Sequence, residues 1–177
     1  MPPEVPPAYG FRPLTGKDMT LLARWLATPH VAAWWGDKAS ELEGIRANID
    51  SISVEPFIIE LDGRPIGYIQ SYDPHLEDEN PYQDQPTGTL GIDQFIGEPG
   101  LIGKGHGPRL ICEFIEMLFE EGAPRVIVDP DPANRVAIRA YEKAGFRPLG
   151  RRQGEHGEVL LMAIDNDEIE DEMGEKP

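Results

Sequence analysis

Gly103-Lys104-Gly105-His106-Gly107 sets three glycines at alternate positions where the strongest helical pattern of the chain begins. Glycine lets a backbone turn through conformations closed to other residues and brings N–H groups close to an anion. A helix N-terminus adds positive potential at the same place. The chemistry on offer is a diphosphate cradle, although the glycines alone fit an ordinary Gly-rich turn equally well. Neither a phosphate-loop lysine followed by Ser or Thr nor a G-x-G-x-x-G fingerprint is present. A second constellation follows the apolar run Val126-Ile127-Val128. Asp129-Pro130-Asp131-Pro132 leads into Asn134, Ala137, Tyr141, Gly145 and Phe146, spaced N-x-x-A-x-x-x-Y-x-x-x-G-F. A tyrosine hydroxyl can donate a proton and a carboxylate such as Asp93, in Gly91-Ile92-Asp93-Gln94, can accept one. Each also has a purely structural reading. Tyr141 lies on an apolar helix face, Asp93 fits a strand end, and Asp129 fits the start of a Pro turn.

These residues need elements to hold them. The Pro-rich start is expected to be extended, with a first strand over 9–14. Thr15-Gly16-Lys17-Asp18 resembles a capping box and opens a helix bearing Met19, Leu22, Ala23 and Leu26 on one face, with Pro29 as its stop. A weaker helix is expected over 39–52. Two strands, 57–61 and 65–72, flank Asp62-Gly63, a strong hairpin signal. Residues 73–87 are polar and hold three prolines, and are expected to form a long loop that is either functional or disordered. A strand over 89–96 precedes the helix expected over 104–121, whose stripe is Leu110, Ile111, Phe114, Ile115, Leu118 and Phe119. A short strand at 126–128, a helix over 134–144 ended by Gly145, and strands over 146–149 and 158–164 close the chain. The mixed order predicts an α/β three-layer domain with a largely antiparallel sheet.

The 177 residues suit one domain, expected over 9–165, between a Pro-rich extension (1–8) and an acidic tail (166–177). Thirty-two acidic residues against sixteen basic ones give a formal net charge of −16. That charge disfavours nucleic acid and suits either a cationic ligand or plain solubility. No long apolar stretch or signal-peptide pattern points to a membrane, and with Cys112 as the single cysteine no internal disulfide can form, which agrees with a cytoplasmic setting. His30, His75, His106 and His156 lack metal-ligand spacing, so no metal is expected.

The N-x-x-A-x-x-x-Y-x-x-x-G-F pattern, with the G-x-G-x-G segment upstream, resembles the GNAT acetyltransferases. Ala33-Trp34-Trp35-Gly36, Pro65 to Tyr72, Gly91-Ile92-Asp93-Gln94 and Tyr141 to Phe146 look like the aminoglycoside 6′-N-acetyltransferases within that family. The similarity runs from Phe11 to Ile164, apart from residues 73–87. It implies a GNAT-like three-layer fold, a mixed and largely antiparallel sheet flanked by helices, and acetyl-CoA as co-substrate. It also implies roles. Asp93 would be the general base and Tyr141 the proton donor to the CoA thiolate. Gly103, Lys104, Gly105, His106 and Gly107 would form the pyrophosphate loop, and Asn134 would contact the pantetheine region. Trp34, Trp35, Asp93, Asp129 and Tyr82 would line the acceptor pocket. Ile102 stands where such loops usually carry Arg or Gln.

The implied activity is acetyl transfer to an amine of a polycationic aminoglycoside-like sugar, by a monomer or homodimer. The alternatives are N-acylation of a lysine or hydroxylysine amine of siderophore type, N-acetylation of a peptide, and a non-catalytic acyl-CoA-binding domain.

Overall fold

The computed structural model describes residues 5–167. The first half of the Pro-rich extension and all but two residues of the expected acidic tail lie outside the described residues. Seven strands form one sheet in the order β1-β2-β3-β4-β5-β7-β6. They are β1 (Tyr9–Pro13), β2 (Val54–Leu61), β3 (Arg64–Tyr72), β4 (Leu90–Ile96), β5 (Arg125–Val128), β6 (Arg147–Gly154) and β7 (Gly157–Asp165). Every neighbouring pair is antiparallel except β4 and β5.

Two apolar layers sandwich the sheet. Helices α4 (His106–Glu120) and α5 (Arg135–Ala144) cover one face, where Leu110, Ile111, Phe114 and Ile115 pack on Ile59, Ile69 and Ile92. Helices α1 (Met19–Leu26), α2 (Pro29–Trp35) and α3 (Lys38–Asn48) cover the other, where Leu22, Trp25, Leu26 and Ile45 meet Ile58, Tyr68 and Phe95. Adjacent residues Ile58 and Ile59, or Tyr68 and Ile69, thus serve opposite layers, as the two-residue period of a strand requires.

The local signals act as their chemistry dictates. Thr15 and Asp18 form a reciprocal capping box around a single 3₁₀ turn that leads into α1. Asp62 (φ 49°) and Gly63 (φ 81°) make the tight β2–β3 hairpin. Helix α1 ends at Leu26, ahead of Pro29 as expected, but Pro29 also opens a further helix. Pro29 is the first residue of α2, where its missing N–H costs nothing. Helix α3 begins at Lys38 behind an Asp37 cap and ends at Asn48, four residues short of the expected end. Gly105 adopts φ 82°, so α4 starts at His106 and Lys104 stays outside the helix. Strand β6 runs to Gly154, beyond the expected 149.

Asn166 was expected to begin the tail. It is 4% exposed and its side-chain amide donates to the Ala123 carbonyl at 3.1 Å, so it belongs to the packed body. Among the described residues no helix is long and apolar enough to cross a membrane.

Candidate active site

Strands β4 and β5 pair at only two positions, Leu90 with Val126 and Gly91 with Ile127. Beyond them the strands part. Pro130 and Pro132 lack the N–H groups that would extend a ladder past Val128, while β4 continues to Ile96 beside β3. The gap opens into a cleft of about 880 Å³ lined by α2, α3, the 73–89 segment, the strand ends, α5 and the β6–β7 turn.

Asp93 and Asp129 stand on the two sides of this gap. Asp93 is half-buried opposite Gln70, whose Nε2 donates to its Oδ2 at 3.0 Å. Gln70 Oε1 in turn accepts from the Tyr68 hydroxyl and from Asn48 Nδ2. Burial pushes the Asp93 carboxyl well above the usual carboxylate range, and the negative charge of Asp129 adds to it. The Gln70 hydrogen bond works in the opposite direction. The Asp129 carboxyl is also raised by burial, against a 2.7 Å hydrogen bond from the Tyr82 hydroxyl.

The segment after β3 is a built wall, not a loose loop. A 3₁₀ turn at Pro74–Leu76 opens it, and Gln83 Nε2 donates to the carbonyls of Glu77 and Pro74. Tyr82 is 2% exposed, with the Arg152 guanidinium 5.4 Å from its ring centroid. Arg152 also donates to Asp84 and to the Pro81 carbonyl, which ties the segment to β6. Tyr82 therefore reaches the cleft through a hydroxyl already given to Asp129.

The remaining candidates separate into wall, core and cradle. Trp34 is 49% exposed on the cleft wall. Trp35 also lines the cleft but packs edge-on against Phe95 and Tyr68, with ring centroids 5.0 and 6.1 Å away. Tyr141, on α5, is buried and accepts a 3.5 Å contact from Gln94 Nε2, leaving its own proton free to donate. Burial holds its pKa above the ordinary value, so the hydroxyl stays protonated. Asn134 caps α5 by accepting from the Ala137 N–H at 3.2 Å, which leaves both N–H donors of its amide for a ligand. At Gly103, Gly105 and Gly107 an added Cβ would meet no heavy atom within 4 Å. The backbone in front of α4 is thus bare and open, as a cradle for a phosphate group requires. The His106 imidazole points elsewhere, with its Nδ1 2.6 Å from the Tyr9 hydroxyl. Any part it plays in the cradle falls to its backbone.

The acetyltransferase (GNAT) domain family matches residues 15–153. The chain belongs to the GNAT acetyltransferase family. An aminoglycoside N(6′)-acetyltransferase type 1 of Klebsiella pneumoniae is 32% identical over 160 residues, spanning 85% of this chain and 80% of that protein. The lysine N-acyltransferase MbtK of Mycobacterium tuberculosis is 27% identical over 168 residues, spanning 92% of this chain and 80% of that protein. Among solved structures, aminoglycoside acetyltransferase AAC(6′)-Ib in complex with coenzyme A and kanamycin superposes with a TM-score of 0.84. That pair shares 32% identity and covers 93% of this chain and 98% of the other.

Within this GNAT frame, sequence reasoning passed over several cleft residues. Asp37 and Glu41 of α3, Glu77, and Glu155 with His156 of the β6–β7 turn all face the cavity. Burial raises the Glu41 carboxyl. Gln70 and Tyr72 stand within a quoted segment, yet only strand pairing reveals their purpose. The Tyr72 ring lies over Gly91, where a Cβ would fall 2.0 Å from Tyr72 Cζ, so only glycine fits there.

Proposed function

We propose that this acetyltransferase moves the acetyl group of acetyl-CoA to the 6′-amino group of an aminoglycoside. The observation that carries the reading is the cleft's charge. Asp37, Glu41, Glu77, Asp93, Asp129, Asp131, Glu155 and Glu158 line it, and among the described residues no lysine or arginine does. Such a wall favours a ligand with several ammonium groups and disfavours one that carries a carboxylate.

The chemistry follows from the splay. Acetyl-CoA lays its diphosphate on the N–H groups around Gly103, Gly105 and Gly107 at the head of α4, with the Asn134 amide available further along. The amine arrives protonated, and Asp93 takes its proton directly or through a water. A raised carboxyl pKa makes Asp93 a stronger base once it is ionised. The amine nitrogen then bonds to the thioester carbonyl carbon. A backbone N–H freed where the β4–β5 ladder ends supports the resulting oxyanion. The C–S bond breaks, the thiolate takes the Tyr141 proton, and the second proton on the nitrogen passes through water to the Tyr141 phenolate, which leaves a neutral amide. Asp129 and Trp34 hold the sugar, one by charge and one by apolar contact.

A free lysine-type amine is the second reading, favoured by the likeness to the lysine N-acyltransferase. Among the described residues its carboxylate would find neither lysine nor arginine in the cleft, with His156 as the one ionisable base there. A thiol-release assay with kanamycin, lysine and a no-amine blank decides between them. Release with lysine alone would overturn the aminoglycoside assignment.

A further inference from the structure

We propose that Asn48 and Tyr68 form an amide lock on Gln70, fixing which end of its side-chain amide faces Asp93. Gln70 is then a positioning residue for the base, and Asn48 carries that control from the last turn of α3. This inference rests on the reading of Asp93 as the base.

The geometry is specific. A glutamine amide can present either its oxygen or its nitrogen to a neighbour, at little intrinsic cost. Here the oxygen has two donors. The Tyr68 hydroxyl reaches it from two residues earlier on β3, and Asn48 Nδ2 reaches it at 3.0 Å from α3. Tyr68 is fully buried, so its hydroxyl has no water to turn to. Turning the amide would set Gln70 Nε2 against the Asn48 N–H donors and Gln70 Oε1 against the Asp93 carboxylate. Both contacts would be repulsive. The lock therefore keeps Nε2 on Asp93 Oδ2, at 3.0 Å.

That hydrogen bond matters because other charges around Asp93 oppose its ionisation. Asp129 faces it from the end of β5, Glu77 from the segment after β3, and Glu41 from α3. The hydroxyls of Tyr72 on β3, Tyr82 in the same segment and Tyr141 on α5 also stand within its field. Among the influences resolved at Asp93, Gln70 alone favours the carboxylate form. Losing its orientation would leave the base protonated over more of the working pH range.

The test is a carboxyl titration followed by NMR, on protein isotope-labelled at the aspartate carboxyl carbons. Loss of a resonance in Asp93→Asn assigns the signal. Asn48→Leu keeps the bulk and removes the donor, and Asn48→Ala serves if the leucine variant does not fold. The Asp93 midpoint should rise by roughly half a pH unit or more. Tyr68→Phe should act in the same direction. The double variant should shift the midpoint further than either single variant, because each donor supplies part of the bias that orients the amide. Acetyl transfer should lose kcat while KM for acetyl-CoA holds. A purely structural role for Asn48 would lower Tm and leave the Asp93 midpoint in place, and that result overturns the lock. Full transfer activity in Asp93→Asn would instead overturn the base assignment, without touching the titration.

Discussion

Asp93 and Asp129 each stand two residues beyond the last paired positions of β4 and β5, Gly91 and Ile127. The two-residue period of a strand puts both side chains on the face that Gly91 and Ile127 share. Two half-buried carboxyls therefore look across one gap, and each makes the other's ionisation harder. One proton on the pair relieves the repulsion, and an incoming ammonium group relieves it as well. The free cleft is an unfavourable place for charge that a cationic amine makes favourable.

The pH profile of acetyl transfer should report this pair. Asp93 must be ionised to accept a proton, so kcat/KM should climb with pH through its raised pKa. Asp129→Asn removes the neighbouring negative charge and should move that limb to lower pH. Asp93→Asn should cut kcat by about 10²–10⁴-fold, the usual worth of a positioned proton acceptor. A limb that stays put in Asp129→Asn would show that the two carboxyls do not sense each other.

The same shift has a stability signature. The folded protein holds the Asp93 proton more tightly than the unfolded chain does, because burial and Asp129 disfavour its charge. Its contribution to stability is complete below the ordinary carboxylate pKa of about 4 and is lost as pH rises through the raised folded value. Asp93→Asn removes the penalty. Its Tm should exceed that of the unmutated protein at mildly alkaline pH, and the gap should close toward about pH 4. An equal gap at both pH values would assign the difference to packing and not to charge.

Tyr141→Phe keeps the ring on the α5 face and removes the hydroxyl. Acetyl-CoA affinity should hold while kcat falls, by up to about 10²–10⁴-fold if no water takes over the proton transfer. Single-turnover measurement with a saturating amine checks it. Unchanged kcat would leave Tyr141 as a core residue beside Phe146, whose ring centroid is 5.5 Å away.

Gly105→Asp adds bulk and negative charge at the head of α4, where the backbone is now bare. Asp tolerates a positive φ better than most residues, so the fold should survive. Acetyl-CoA should bind roughly tenfold or more weakly by calorimetry. Equal affinity in the folded variant would place the diphosphate elsewhere.

The sheet and both helical layers were legible because strand, hairpin and helix signals are local, whereas the roles of Asp93, Tyr141 and the glycine loop come from the family resemblance and stay proposals. Asp62-Gly63 can hardly be anything but a hairpin, and Gly145 ends α5 at φ 109°. Helix α2 was missed because Pro29 breaks a helix behind it and starts one ahead of it, and only packing decides which. Tyr82 enters the acceptor pocket only through the family resemblance, and its packing is silent because residues 73–87 show no apolar pattern. Its burial comes from Ile127 of β5 and Leu161 and Ala163 of β7, with Arg152 over its ring, all far along the chain. Gln70 and Asn48 stayed silent because their purpose is a hydrogen-bond chain between a helix end and two strands, which no spacing encodes.

The last expectation concerns charge at longer range. Eight carboxylates line the cleft and the whole chain carries −16, so the two substrates should feel opposite fields. The polyammonium sugar is drawn in, while the anionic CoA is repelled until it reaches the local cradle at α4. Salt screens both effects, since charges more than about 10 Å apart largely cease to interact at 0.1 M ionic strength. KM for kanamycin should therefore rise as salt increases from about 0.05 to about 0.5 M, while KM for acetyl-CoA should stay level or fall. Glu41→Gln, on the α3 wall, should flatten the kanamycin dependence and, by removing one charge that opposes Asp93 ionisation, should move the activity limb to lower pH without lowering its plateau. Parallel rises in both KM values would point to a general loss of activity in salt. A kanamycin KM indifferent to salt would mean that shape, and not the acidic wall, selects the amine.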